Sequence, residues 1–315
     1  MAEQKIIAVV GATGQQGGGL ARSILADPES EFSVRALTRN PDSDKAQDLA
    51  RLGADVVQAD LDDEASVAKA FEGAYGAYLV TNFWEHGSPE REYAQARNLA
   101  QATKTAGVEH AIWSTLEDTR ESVPLDDDRM PTLMGQYKVP HFDVKGEANA
   151  LFTEAGVPTT FLQTTFFWES FLAYFTPQRQ EDGSLVLAMA MADSKLAGIA
   201  AEDIGRTALG AFKRGKELVG ETVSIAGEHL TGAEIAATFS EVLGQPVRYV
   251  AVPFEGLRAA GFPAADELGN MFQYYAEFAD EFTGRRDLDE VRRLNPSLQS
   301  FKEWLVAHKD AFTGI

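Results

Sequence analysis

The chain of 315 residues contains no cysteine. That excludes disulfides, thiolate nucleophiles and cysteine-ligated zinc together, and it is compatible with a reducing compartment. Basic residues are scarce. Lys and Arg number 28 against 48 Asp and Glu, a net charge of −20. Such a surface repels phosphates, so bulk electrostatics exclude direct nucleic-acid binding. The same charge serves solubility, or a basic protein partner. No apolar run is long enough to span a membrane. The start, Met1-Ala2-Glu3-Gln4-Lys5, lacks the basic-then-apolar layout of a secretory signal, and the apolar run from Ile6 is short and ends in glycines. His86, His110, His229 and His308 have no spacing that suggests a metal site. Repeats and low-complexity segments are absent too.

What is present begins at residue 6. A β-branched run, Ile6 to Val10, ends in glycines, and a helical pattern follows at once with Leu20, Ile24 and Leu25. Gly11, Gly14 and Gly17 fall in a G-x-x-G-x-x-G spacing. The first glycine serves a tight turn, the second a close backbone approach to a ligand, the third the packing of helix on strand. The helix start offers unpaired N–H groups and the positive end of its dipole to a pyrophosphate. Strand, glycine turn and helix together predict a dinucleotide site.

Strand and helix then alternate. Strands are expected at 32–39, 55–58, 74–81, 110–115 and 158–163, with helices between them at 44–52, 64–71, 88–106 and 140–154. Gly53 and Gly107 stop two of the helices, and Asp63 caps another. This rhythm predicts an α/β fold, a doubly wound parallel Rossmann sheet. Past about residue 165 the rhythm loosens. Strands at 183–191 and 221–226, a helix from Ala201 to Phe212 and a cap at Thr231 are expected, then mostly helix broken by Pro246 and Pro253. The expected division is a dinucleotide-binding domain over 1–165, partly interleaved with later chain, and a smaller α/β lobe over 166–315 for substrate or partner.

In this architecture the residue just past the second strand meets the adenosine ribose. Here it is Arg39, beside Asn40, which suits the 2′-phosphate of NADP(H). Asp42 and Asp44 oppose that preference and Lys45 offsets them, so NAD(H) is the second choice. Asp60 and Leu61 sit where an adenine passes over the sheet edge. Thr81, Asn82, Phe83 and Trp84 leave the fourth strand on the ligand side, to pack on the next helix or to touch the cofactor. A loop over 116–139, rich in Asp and Glu, is long enough to be functional or disordered. Arg285, Arg286, Arg292 and Arg293, among acidic neighbours, read as an ion-paired helix surface of little energetic weight. The clusters Phe166-Phe167-Trp168 and 272–275 read as core, with the first also placed to floor a pocket.

These motifs resemble the NmrA-like family, a branch of the atypical short-chain dehydrogenase/reductases, over nearly the full length. The resemblance rests on Gly11-Ala12-Thr13-Gly14-Gln15-Gln16-Gly17-Gly18, Thr38-Arg39-Asn40-Pro41, Gln58-Ala59-Asp60, Val80-Thr81-Asn82-Phe83-Trp84-Glu85 and His141-Phe142-Asp143-Val144-Lys145-Gly146-Glu147. Gly261-Phe262-Pro263 and Asn270-Met271-Phe272 extend it into the second lobe. It is most similar to the NmrA-like redox sensors. The resemblance implies that residues 11–17 hold the pyrophosphate, Arg39 the 2′-phosphate, Asp60 and Leu61 the adenine, and Thr81 and Asn82 a ribose. It places Lys145 at the nicotinamide ribose and Thr164, Thr165, Phe166 and Phe167 beside the nicotinamide. It also implies a protein partner, such as a basic or zinc-finger transcription factor, a location in the cytoplasm with the nucleus as a second, and a monomer or homodimer.

Short-chain dehydrogenases pair a tyrosine with a lysine four residues on, on one helix face. The lysine lowers the tyrosine pKa so that the phenol can pass a proton to a carbonyl. Here Lys145 is kept and His141 stands in the tyrosine position, with Ser114 and Thr115 in the serine region. A histidine can serve as a general acid near neutral pH. Its blander role is a helix-start histidine bonded to nearby backbone. Tyr137 is too far from Lys145 along the helix to replace it. Two functions follow: an NADP(H)-responsive regulator with little or no dehydrogenase activity, or a reductase of a small carbonyl or quinone that uses Lys145 with His141 or water.

Overall fold

Local capping and apolar strand runs set the first half of the chain. The structure, a computed structural model, describes residues 4–315. In order come β1 (Lys5–Val9), α1 (Gln15–Leu25), β2 (Phe32–Thr38), α2 (Asp44–Arg51), β3 (Asp55–Gln58), α3 (Glu64–Phe71), β4 (Gly76–Leu79), α4 (Pro89–Ala106), β5 (His110–Thr115), α5 (Pro140–Ala155) and β6 (Thr159–Gln163). Ser43, Asp63 and Ser88 each accept a backbone N–H at the start of α2, α3 and α4. Gly107 and Gly156, in the left-handed region at φ 68° and 70°, close α4 and α5. β4 and β5 are buried at every position, as strands covered by helices on both faces must be.

The rest supplies β7 (Phe166–Phe167), β8 (Gln178–Arg179), β9 (Leu185–Met189), β10 (Lys195–Ile199), α6 (Ala201–Arg214), β11 (Thr222–Ser224), β12 (Glu228–Thr231), α7 (Gly232–Leu243) and β13 (Val247–Ala251). The helices α8 (Phe254–Arg258), α9 (Ala265–Glu277), α10 (Ala279–Gly284), α11 (Leu288–Leu294) and α12 (Phe301–Ala307) follow. The main sheet has seven parallel strands in the order β3-β2-β1-β4-β5-β6-β11. Chain direction across the sheet reverses between β1 and β4, which makes their carboxyl ends the switch point where open α/β sheets take ligands.

Two later elements belong to this sheet. β11 forms its edge against β6. α6 lies on α1 so closely that a Cβ on Gly205 would stand 2.1 Å from the backbone nitrogen of Leu20. The smaller lobe holds two three-stranded sheets, β12-β10-β7 and β13-β9-β8. Its core is aromatic: Phe166, Trp168, Phe171, Phe239, Phe272, Phe301 and Trp304 are all buried in one cluster.

Three expectations change. Residues after 231 are not simply helical, because Val247–Ala251 forms β13 and pairs in parallel with β9. Pro246 precedes that strand, where a missing N–H costs no ladder bond. The loop 116–139 is pinned. The buried Lys138 donates its Nζ to Asp127 O at 2.8 Å, Met130 O at 2.7 Å and Leu125 O at 3.3 Å. From α9, Asn270 Nδ2 donates to Pro131 O and Lys138 O, and Gln273 Nε2 to Arg129 O. The third change is Arg286, which is no surface residue. It is fully buried, pairs with buried Glu117 at 2.8 Å, donates to Thr164 O at 2.7 Å and stacks 3.5 Å over the Phe282 ring. Arg285, Arg292 and Arg293 do pair with carboxylates on their own helices at the surface.

Candidate functional site

The glycine turn stands at the carboxyl end of β1. Gly11 adopts φ +63°, a conformation that costs other residues a Cβ clash. Gly14 N donates to Gly11 O at 2.8 Å, closing the turn. A Cβ on Gly14 would stand 3.1 Å from Gly11 O, and one on Gly17 would lie 2.6 Å from Gly11 O and 2.7 Å from Val10 O. The turn therefore packs backbone on backbone, with the start of α1 facing out of it. Gly11, Gly14 and Gln15 are exposed, Thr13 is half-buried, and Ala12 and Gly17 are buried. The result is a backbone cradle, without side chains at its three glycines and open on one side at a helix start, the kind of place where anions bind. Gln16 turns inward instead, where its Oε1 accepts from Tyr78 Oη at 2.7 Å and Ser114 Oγ at 2.8 Å. It ties α1 to β4 and β5. Burial pushes the Tyr78 hydroxyl up from its ordinary pKa.

Arg39 and Asn40 are exposed just past β2, and Asp60 and half-buried Leu61 lie just past β3. The carboxylate on Arg39 is neither Asp42 nor Asp44. Glu85 takes the guanidinium in a two-pronged pair, Nη2 to Oε2 at 2.9 Å and Nη1 to Oε1. That hydrogen bond holds Arg39 above its ordinary pKa, with Asp60 adding to the effect.

The exit from β4 reaches further into the site. Thr81 is buried, Asn82 exposed, and Phe83 opens a 3-10 turn, Phe83–Glu85. Lys145, from α5, donates its Nζ to Thr81 Oγ1 at 2.8 Å and Thr81 O at 3.1 Å, and pairs with Glu92 at 2.8 Å. Glu92 also accepts from Thr81 Oγ1 at 2.6 Å, and His86 Nε2 lies 3.3 Å from its other oxygen. Both Lys145 and Glu92 are buried.

One turn before Lys145, His141 is held by a residue 126 positions away. Glu267, on α9, accepts from the His141 backbone nitrogen at 2.8 Å and from Nδ1 at 2.6 Å. A carboxylate oxygen that accepts from Nδ1 fixes the proton there. The imidazole is buried, with the Trp84 ring 4.6 Å and Phe83 5.9 Å from its centre. So the histidine bonds to neither its own helix nor nearby backbone, but to the second lobe. Tyr137 packs with Phe83 and Val144.

Thr164 to Phe167 leave β6 towards the second lobe. Thr164 N donates to Thr115 O at 3.2 Å and Thr165 Oγ1 to Ala197 O at 2.8 Å. Phe166 packs against Phe171, Phe175 and Phe272 in the lobe core, and Phe167 is half-buried against the other face of the sheet. Thus the turn, Arg39, Thr81, Phe83, Lys145 and His141 gather along the carboxyl edge of β1, β2 and β4, whereas Phe166 packs away from them.

Three residues beside this edge were given no role in the sequence reading. Glu92 sits on the buried stripe of α4 with Ala96, Leu99 and Thr103, and that helical period was available as a signal for an inward carboxylate. Glu267 and Glu85 carried no local signal, because their partners are far away in sequence.

The NmrA-like family model matches residues 3–305. The chain is 26% identical to an NmrA-like family domain-containing oxidoreductase, malD, of Malbranchea aurantiaca, covering 96% of each chain. It is 30% identical to an NAD(P)H azoreductase of Xenophilus azovorans, over 98% of this chain and 99% of that protein. Among solved structures, the negative transcriptional regulator NmrA in complex with NADP superposes with a TM-score of 0.80, at 24% identity, covering 99% of this chain and 98% of that one.

Proposed function

Because the chain belongs to the NmrA-like family, we propose that it binds NADP(H), with NAD(H) second, and serves as an NADP(H)-responsive regulator of a protein partner with little or no dehydrogenase activity. The carrying observation is the His141–Glu267 bond. At the position where a proton-donating tyrosine would stand, the side chain joins the two lobes.

The residues on the carboxyl edge fit a dinucleotide. Gly11, Gly14 and Gly17 leave the turn free of side chains, and the amino end of α1 faces the pyrophosphate. Arg39 has the planar donor fork that a 2′-phosphate accepts from. Lys145, already oriented by Thr81 and Glu92, would hold the ribose hydroxyls near the nicotinamide. The nicotinamide, when bound, supplies or accepts a hydride. The turn at 81–85 connects these parts. Thr81 touches Lys145, Trp84 lies on His141, and Glu85 pairs with Arg39. A ligand on this turn would bear on His141 and, through Glu267, on α9, and so would favour one arrangement of the second lobe over another.

A second reading, an NAD(P)H-dependent reductase of a quinone or similar acceptor, is favoured by one observation. With Nδ1 held by a carboxylate, Nε2 of His141 is the free ring nitrogen, placed to take up a proton and pass it to an acceptor. The azoreductase relative agrees with that chemistry.

Calorimetric titration of cofactor-stripped protein with NADPH, NADP, NADH and NAD is the first test. NADP(H) should bind more tightly than NAD(H), and Arg39→Ala should weaken NADP(H) by roughly tenfold, the scale of a charged hydrogen bond. No binding by any of the four overturns the reading. NADPH oxidation is then followed with a quinone and an azo dye. Turnover that falls in Lys145→Ala at saturating NADPH selects the reductase reading over the regulator.

A further inference from the structure

β2 and β4 flank β1 in the sheet, so the segments leaving them stand on either side of the glycine turn. Arg39 follows β2, and Glu85 closes the turn that follows β4. Their fork-to-fork pair therefore links the two segments that flank the turn. Both side chains are accessible, with relative exposures of 60% and 38%. A bidentate carboxylate uses the same planar donors that a phosphate would use. The Arg39 backbone is held separately, its carbonyl accepting from Gln58 Nε2 at 3.2 Å, so the guanidinium can exchange partners while the main chain stays in place.

We infer that Glu85 sets the cofactor preference of this site by occupying Arg39 in place of the 2′-phosphate. This rests on the NADP(H) reading above. NADP(H) must displace the Glu85 carboxylate from the guanidinium before its phosphate is seated. NAD(H), which brings no phosphate, leaves the pair closed. Glu85 thus narrows the gap between the two cofactors that Arg39 would otherwise open.

The test is calorimetry with NADPH and NADH on the wild type, Glu85→Gln, Arg39→Ala and the double variant. Glutamine keeps the size and removes the charge. The ratio of NADPH to NADH affinity should rise roughly fivefold in Glu85→Gln, the scale of one exposed ion pair, and the effect should vanish in the Arg39→Ala background. An unchanged or lower ratio in Glu85→Gln overturns the inference, and so does the same rise when Arg39 is absent. If neither nucleotide binds the wild type, the cofactor reading itself fails and takes this one with it. If both bind and only the ratio stays put, the cofactor reading stands alone.

Discussion

His110 is fully buried at the start of β5. Its Nε2 lies 2.9 Å from Thr160 Oγ1, and that hydroxyl donates onward to Leu218 O at 2.7 Å. Nε2 therefore carries the proton, and Nδ1, left as an acceptor, meets no donor. Burial lowers the imidazole from 6.5 to about 4. The sign follows directly. Between those values the unfolded chain takes up a proton that the folded protein refuses, so stability is full above pH 6.5 and falls as pH drops towards 4. The complete loss is on the order of 3 kcal/mol at 1.36 kcal/mol per pH unit. Urea unfolding at pH 7.5, 6 and 5 should give a shallower acid decline in His110→Gln than in the wild type, because glutamine keeps a donor for Thr160 and does not titrate. Parallel declines would show that other groups govern this range.

At the scale of elements, α1 and α6 meet backbone on backbone. A methyl on Gly205 meets Leu20 N at 2.1 Å and Gly19 C at 2.4 Å, both main chain and neither able to turn aside. Gly205→Ala should destabilise the protein by about 2–3 kcal/mol through overpacking, read as a lower Tm. Gly284→Ala, with nothing within 4 Å of the new methyl in α10, should leave Tm unchanged or raised. This joint also marks what sequence could convey. The strands and caps of the first half were legible because each is signalled locally, by an apolar run, a Ser or Asp cap, or a stop glycine. The glycine turn was legible for the same reason. β13 was missed although Val247, Tyr249 and Val250 between two prolines do signal a strand locally, because the helical pattern on either side outweighed five residues. Arg286 was misread because its acidic neighbours suggested surface pairing, whereas its partner Glu117 lies far back in the chain. Lys145 and His141 could be named from spacing, but what holds them, Glu92 and Glu267, comes from elsewhere.

Over the whole molecule, polar groups on the two lobes are locked to one another. Arg286 binds Glu117 and the carbonyl of Thr164, Asn270 and Gln273 hold the 116–139 loop, and Glu267 holds His141. Burial raises the cost of breaking any one of them. Arg286→Met should destabilise by about 3–5 kcal/mol, since it leaves Glu117 charged and unpaired in the interior. Adding Glu117→Leu should restore much of that loss, because an apolar pair of similar volume carries no desolvation cost. Urea titration of the single and double variants measures both. A single variant as stable as the wild type would mean that water reaches Glu117.

The contact between α1 and α6 also has a consequence for how the protein is made. Residues 15–25 leave the ribosome well before the helix that covers them, which spans residues 201–214, and the sheet's last strand ends at 224. At a synthesis rate of about 5–20 residues per second, the inner face of the first helix waits roughly ten seconds or more for its cover. A nascent chain cut before residue 201 would carry a complete glycine turn on an open helix. The glycine turn is thus translated long before the helix that backs it.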